Sequence, residues 1–325
     1  MVGIFKANNP LNTFLLFIYG LLLKLSFFTH VHSPVVQKTD GIFFRELVAW
    51  LNKAGSSWPI IYPVITYLLL FTQAIGFNQL INSQRLIQRS THLPAMSYLL
   101  ITSLFPEWNM ITSGLIINTI MIWVWASMNN LYNSSTPKTS LFNIGMVIGI
   151  SSFFYFPALG FAVLIVVALI LTRPFNLTEW IIALIGIMCP FYLWFAWLFL
   201  ADRLGNYKLP YLTIAYPGFQ SYWPLASIAL IVIAFLAGAY FVQQTFRKQV
   251  VQVRNSWSLN LFYLVVALCV PFINYTRSFE YWILTALPLS AFVACAFLYP
   301  SKKWFPVLLH WLMVALIITT SYFIS

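Results

Sequence analysis

A chain of 325 residues that is 61% hydrophobic, 18% aromatic and only 7% charged cannot cover a water-soluble surface, because soluble domains carry about 25% charged side chains. Its net charge of +11 does not mark a nucleic-acid partner, since the seventeen basic residues are scattered over the loops between apolar runs. That scatter is the topology signal of a membrane protein, with some affinity for anionic lipid headgroups.

The apolar runs are about 17–25 residues long, enough for an α-helix to cross a hydrocarbon core of about 30 Å. The expected fold is therefore all-α: a polytopic transmembrane helical bundle in a single integral membrane domain, residues 1–325. A β-barrel would show short alternating segments instead. About eleven spans are expected, near 11–29, 60–82, 93–105, 110–128, 141–156, 158–172, 180–200, 223–242, 259–274, 281–298 and 304–323. Lys6 and the apolar run after it resemble a signal peptide, but His30-Val31-His32 stands where a small-x-small cleavage site would be, so an uncleaved first span is expected.

With the N-terminus inside, alternate loops place Lys6, Arg85, Arg89, Lys138, Arg173, Arg247, Lys248, Arg254, Lys302 and Lys303 inside, opposed only by Glu179. The outer side holds Lys24, Lys38, Arg45, Lys53, Arg203, Lys208 and Arg277 with Asp40, Glu46, Glu107, Asp202 and Glu280. The positive-inside rule favours this N-in, C-out arrangement.

The first outer loop, 30–53, is dense in ionisable groups. At 100° per residue, Arg45, Glu46, Ala49, Asn52 and Lys53 share one arc of a helix over 42–54. Phe43, Phe44, Leu47, Val48, Trp50, Leu51 and Ala54 take the other. Such a helix lies flat in the headgroup region, anchored by Trp50. Asp40 precedes it where Asp is a favoured N-cap, and capping by itself accounts for Asp40; the functional alternative is a carboxylate held at the membrane surface. His30 and His32 with Asp40 have the residue types of a metal site, but no third ligand is fixed, and no metal is assigned.

Further along, Gln73, Asn78, Gln79 and Asn82 crowd the second span. They serve as interhelical glue or line a polar path. No mid-span Asp, Glu or Lys supports an ion-coupled pump. Gly145 and Gly149 form a small-xxx-small pair suited to close helix contact. Prolines at 59, 63, 94, 157, 190, 271 and 288 fall at span ends or within spans as packing features. The outer loop 202–222 carries Arg203 and Lys208 among Tyr207, Tyr211, Tyr216, Phe219 and Tyr222; these aromatics stack on sugar rings or form an ordinary interfacial belt. At 277–281 an Arg277-Ser-Phe-Glu280-Tyr281 run precedes Pro288. Arg277 contacts a phosphate with its planar fork, or anchors a helix end beside Glu280. Cys189, Cys269 and Cys295 lie in apolar runs as small hydrophobes.

A first outer loop with an acidic residue followed by an amphipathic helix resembles the layout of the GT-C membrane glycosyltransferases, which use polyprenyl-phosphate-linked sugars. The resemblance implies that Asp40 is the base or metal ligand, with Glu46 second. The Arg277, Tyr281 and Pro288 spacing is similar to an element those enzymes place near the lipid phosphate. It implies that Arg277 contacts the lipid phosphate and Tyr281 the substrate; in the 202–222 loop, Arg203 and Lys208 are candidates for the phosphate or lipid and Tyr211 and Tyr216 for the substrate. The segments Gln73 to Asn82, Arg85 to Pro94, Ser103-Leu-Phe-Pro106 and Arg173-Pro-Phe-Asn-Leu-Thr-Glu179-Trp180 resemble an uncharacterised Bacteroidota family of polytopic inner-membrane proteins, which implies a bacterial inner-membrane location and no established activity. The readings in other classes are a transporter or flippase of a lipid or small solute, and a non-catalytic subunit of an envelope complex.

Overall fold

The computed structural model describes residues 2–7, 9–29, 31–206, 213, 214, 216, 218, 222–273, 278–302 and 304–322. The described residues form fourteen α-helices. A short α1 (Val2–Phe5) precedes α2 (Pro10–Leu23), which is capped by the Asn9 side chain accepting from Leu11 N. The first apolar run then breaks at Lys24 and resumes as α3 (Leu25–Thr29). Lys24 is buried, and its Nζ donates to Thr102 Oγ1 at 3.2 Å and to Asn109 Oδ1. An amine taken out of water needs such partners.

Next, α4 (Ile42–Gly55) buries Phe44, Val48, Leu51 and Gly55 at helical spacing against Tyr62 and Ile111. Arg45, Glu46, Ala49, Asn52 and Lys53 are exposed, as the amphipathic reading expects, and so is Trp50. After it come α5 (Ile61–Ser83), α6 (Leu93–Ser103), α7 (Ser113–Asn130) and α8 (Pro137–Ser151). A 3₁₀ segment, Phe156–Phe161, leads into α9 (Ala162–Thr172). The chain continues through α10 (Leu177–Leu200), α11 (Trp223–Phe246) and α12 (Val251–Cys269), then a second 3₁₀ segment, Glu280–Thr285, leading into α13 (Ala286–Leu298), and α14 (Trp304–Tyr322).

Among the described residues, six helices are long and apolar enough to cross a membrane: Ile61–Ser83, Leu177–Leu200, Trp223–Phe246, Val251–Phe272, Glu280–Leu298 and Trp304–Ser321. Three shorter apolar helices, Pro10–Leu23, Leu93–Ser103 and Phe156–Thr172, accompany them. At about 1.5 Å per residue α6 is too short to cross alone. It is buried along its whole length and packs on α13, itself buried except at Leu289 and Leu298, so protein surrounds it. The least buried of the six is α10, which exposes Tyr192, Leu193, Phe199 and Leu200.

Prolines 63, 94 and 288 lie in the first turn of α5, α6 and α13, where an N–H would find no intrahelical partner. At the change from 3₁₀ to α geometry before α13, amides from other helices take up backbone carbonyls: Asn118 Nδ2 donates to Ile283 O at 2.9 Å and Asn260 Nδ2 to Pro288 O at 3.2 Å. The amides of α5 do similar work. Gln73 Nε2 donates to Leu115 O and Thr119 Oγ1, both at 2.7 Å, while its Oε1 accepts from Tyr98. Asn82 exchanges two bonds with the Thr91 backbone. Gln79 instead is exposed.

Gly145 and Gly149 sit in the contact between α8 and α10. A Cβ on Gly145 would lie 2.5 Å from the Ala183 carbonyl oxygen, and one on Gly186 2.5 Å from that of Phe142. Only glycines allow this approach. Gly145→Leu is expected to force α8 from α10 and to lower stability by about 1–3 kcal/mol, read as a drop in the melting temperature of the detergent-solubilised protein. The start of α12 departs from expectation, at Val251 instead of residue 259. Its polar first turns are sheltered by protein: Asn255 Nδ2 donates to Leu171 O at 2.7 Å and Trp257 Nε1 to Leu86 O at 3.2 Å.

Candidate functional site

The site is built on residues 37–43, which run beside residues 153–155. Asp40 and Tyr155 form an antiparallel bridge, Gly41 N donates to Phe154 O at 2.8 Å, and Phe43 N donates to Phe153 O at 3.1 Å. This pairing corrects the capping expectation. Gly41, not Asp40, is the N-cap of α4, and it has no side-chain cap bond. Asp40 instead turns its carboxyl into the protein.

There Asp40 is 3% exposed and its carboxyl meets three donors. Oδ1 accepts from the Tyr281 hydroxyl at 3.0 Å and from the Ser113 hydroxyl; Oδ2 accepts from Gln37 N at 2.8 Å. The Tyr281 ring is buried and stacks on Tyr155, centroids 4.3 Å apart and planes 10° from parallel. Tyr155 Oη donates to Ile273 O at 3.3 Å. The Asp40 carboxyl thus ties together the loop before α4, the start of α7 and the approach to α13, and the backbone beside it joins the turn after α8.

Two further carboxylates stand beside it. Glu107, in the turn between α6 and α7, accepts from Phe279 N at 3.0 Å, and its neighbour Trp108 donates Nε1 to Phe279 O at 3.0 Å. Glu280 is half-buried, with Tyr281 and Gln37 beside its carboxyl and both Asp40 and Glu107 within electrostatic reach, and its Oε1 is buried with no hydrogen-bond partner among the described residues. Burial pushes the Asp40 carboxyl above its ordinary range, opposed by its bonds from Ser113, Gln37 and Tyr281 and by the Arg45 charge. Burial likewise raises Glu107 against the bond from Phe279.

A carboxyl whose folded pKa is raised holds its proton more tightly folded than unfolded. Its stabilising contribution is full below the ordinary carboxyl range and is lost as pH rises through the raised value. Melting temperature is therefore expected to fall as pH rises from about 4 toward neutrality. Asp40→Asn, which cannot ionise, should flatten part of that slope; an unchanged slope would remove Asp40 from the account.

The other residues expected at the site are distributed as follows. Glu46 and Arg45 are exposed on α4, with Arg45 donating to Lys38 O at 3.3 Å, so Glu46 is not gathered with Asp40. Tyr281 is committed to Asp40 and Tyr155 and presents no free face. Tyr216 is exposed with its ring against Phe272, centroids 6.0 Å apart, and Ile214 bridges Ile273, so part of the 202–222 loop does reach this face. Arg203 is exposed just beyond α10. Arg277, Lys208, Tyr211 and His30 lie outside the described residues, which hold no group of three metal-ligating side chains. Ser113, Tyr155 and Glu107 were not singled out from the sequence. A hydroxyl at a helix start, a tyrosine among phenylalanines and one turn carboxylate carry no local pattern.

The helices and this tied face define an integral multi-pass membrane protein in contact with membrane lipids. A family model matches residues 50–324, and the chain belongs to that family, a family of unknown function (DUF6427). Ser113, Tyr155, Glu280 and Tyr281 fall within the matched stretch, and Asp40 precedes it. No curated protein and no solved structure matches the chain.

Proposed function

We propose that the protein crosses a bacterial inner membrane eleven times, N-in and C-out, and acts at its outer face on a polyprenyl-phosphate-linked sugar, in the manner of GT-C glycosyltransferases. The observation that carries the reading is the convergence on Asp40. Beyond the surface helix α4, two helices, α5 and α6, separate Asp40 from Glu107; α7 and α8 separate Ser113 from Tyr155; α9 to α12 separate Tyr155 from Ile273. Segments an even number of crossings apart return to the same face. The remaining loops meet one another by the same parity: Gln84 donates to Asn130, Arg173 to Leu131 O and Ser134 O, and Asn255 to Leu171 O.

In this reading Glu280 is the base. Its unpartnered oxygen takes the proton of an acceptor hydroxyl as that oxygen attacks the sugar's anomeric carbon, and the polyprenyl phosphate leaves with the electron pair of the broken bond. Asp40 is a positioning residue that fixes Tyr281, next to Glu280 in the chain. Arg277, three residues earlier, meets the phosphate, assisted by Arg203 and Lys208. Tyr211 and Tyr216 stack on the sugar, and Glu46 lies on the surface helix at the margin of the site. A transport path is less well supported, because Gln73 and Asn82 spend their amides on bonds within the protein.

The test is a deletion strain carrying either the wild-type protein or Glu280→Gln, with lipid-linked sugars measured by mass spectrometry. Glu280→Gln is expected to melt like the wild type yet leave the lipid-linked pool as the deletion leaves it. Restoration of the wild-type pool by Glu280→Gln would refute the assignment.

A further inference from the structure

At the other end of α7 and α8 the surface opens into a cleft of about 470 Å³, within the ~300–1,000 Å³ range of small-molecule sites. Ser113 and Asn130 bound α7, so the cleft lies about 25 Å along that helix from Asp40. Trp123 lines it about 10 Å along α7 from Asn130. Ser127, Asn130, Ser140, Asn143 and Gln252 line it together with the loop serines Ser134 and Ser135.

The chemistry of this lining is narrow. Its described lining contains no Lys, Arg, His, Asp or Glu, so it offers no charge to pair with a phosphate, a carboxylate or a cation. Nor does it suit an acyl chain, because apart from Trp123 every lining group is a hydroxyl or an amide. Much of that capacity is unused. Ser127, Ser135, Asn143 and Gln252 make no side-chain hydrogen bond within the protein among the described residues. Trp123 is 46% exposed and offers a flat apolar face with a donor at its edge. An uncharged ring with an apolar face and a rim of hydroxyls, which is to say a sugar, matches each part: the face against the indole, the hydroxyls against amides and serines that both donate and accept.

We propose that this cleft binds the sugar ring of an uncharged carbohydrate, either free or as the headgroup of a neutral glycolipid whose chains remain in the adjoining bilayer. The inference is independent of the reading made for the opposite face and would survive its failure.

The full chain in lipid nanodiscs, presented with glucose, with a monoglucosyl diacylglycerol and with diacylglycerol alone, separates the two sources. Native mass spectrometry follows the lipids and saturation-transfer NMR the free sugar. Retention of the glucolipid above diacylglycerol, or saturable transfer to glucose, is expected, and Trp123→Ala and Asn143→Leu should each reduce it at least tenfold with melting temperature unchanged. Should either variant fail to fold, the double variant Ser127→Ala, Gln252→Ala removes only hydrogen-bonding groups and should give the same loss. The proposal is overturned if neither sugar probe exceeds the diacylglycerol control, or if the folded variants bind as the wild type does, which would make the cleft a water-filled surface feature.

Discussion

Asp40→Ala is expected to destabilise the protein by about 3 kcal/mol, since it strands two hydroxyls and a backbone N–H that the carboxyl now satisfies, at about 1–3 kcal/mol for each buried group left unpaired. Part of that cost is recovered because the Tyr281 hydroxyl lies 3.2 Å from Thr39 Oγ1 and can turn toward it. Asp40→Asn keeps an acceptor at the same position and should fall well short of the alanine variant. The comparison is made by thermal unfolding in detergent. If alanine and wild type melt together, the carboxyl does not tie these segments and its three bonds are incidental.

Gly41→Ala should cost a similar amount by a different route. A Cβ there would lie 1.9 Å from the Phe153 carbonyl oxygen and 2.3 Å from its carbon, and backbone atoms cannot swing aside as a flexible side chain can. Overpacking of this kind costs about 1–3 kcal/mol, and the rigid neighbour puts this case at the upper end. The pairing of residues 41–43 with 153–154 is expected to open and α4 to lose its anchorage. Hydrogen exchange is the discriminating measurement: the amides of Gly41 and Phe43 should lose protection while those of α6 and α13 keep theirs. Retained protection at Gly41 and Phe43 would mean that the chain accommodates the methyl group and that the close approach is not essential.

The contrast between α4 and Asp40 locates what the sequence makes legible. The amphipathic helix was expected over 42–54 and spans Ile42–Gly55, because helical periodicity is a local property written in consecutive residues. The apolar helices were legible for the same reason, as was the close contact made by Gly145 and Gly149. Asp40 was legible as a residue of interest but misread as a cap, because local propensity is silent about partners 73 and 241 residues away. Nothing in the chain near Ser113 or Tyr281 signals which loop it will face; that is decided by how α5 to α12 pack. Lys24 illustrates the same gap. It reads as a basic residue at a membrane surface, yet it is buried against Thr102 and Asn109, whose side chains offer oxygens only once α6 and the turn after it are in place.

The account stands on a direct link between Asp40 and Tyr281 across the chain. A double-mutant cycle of Asp40→Ala and Tyr281→Phe, read as unfolding free energies in one detergent, measures that link. The hydrogen bond at 3.0 Å predicts that the two losses overlap, with a coupling of about 1 kcal/mol or more. Losses that simply add, within about 0.3 kcal/mol, would contradict it.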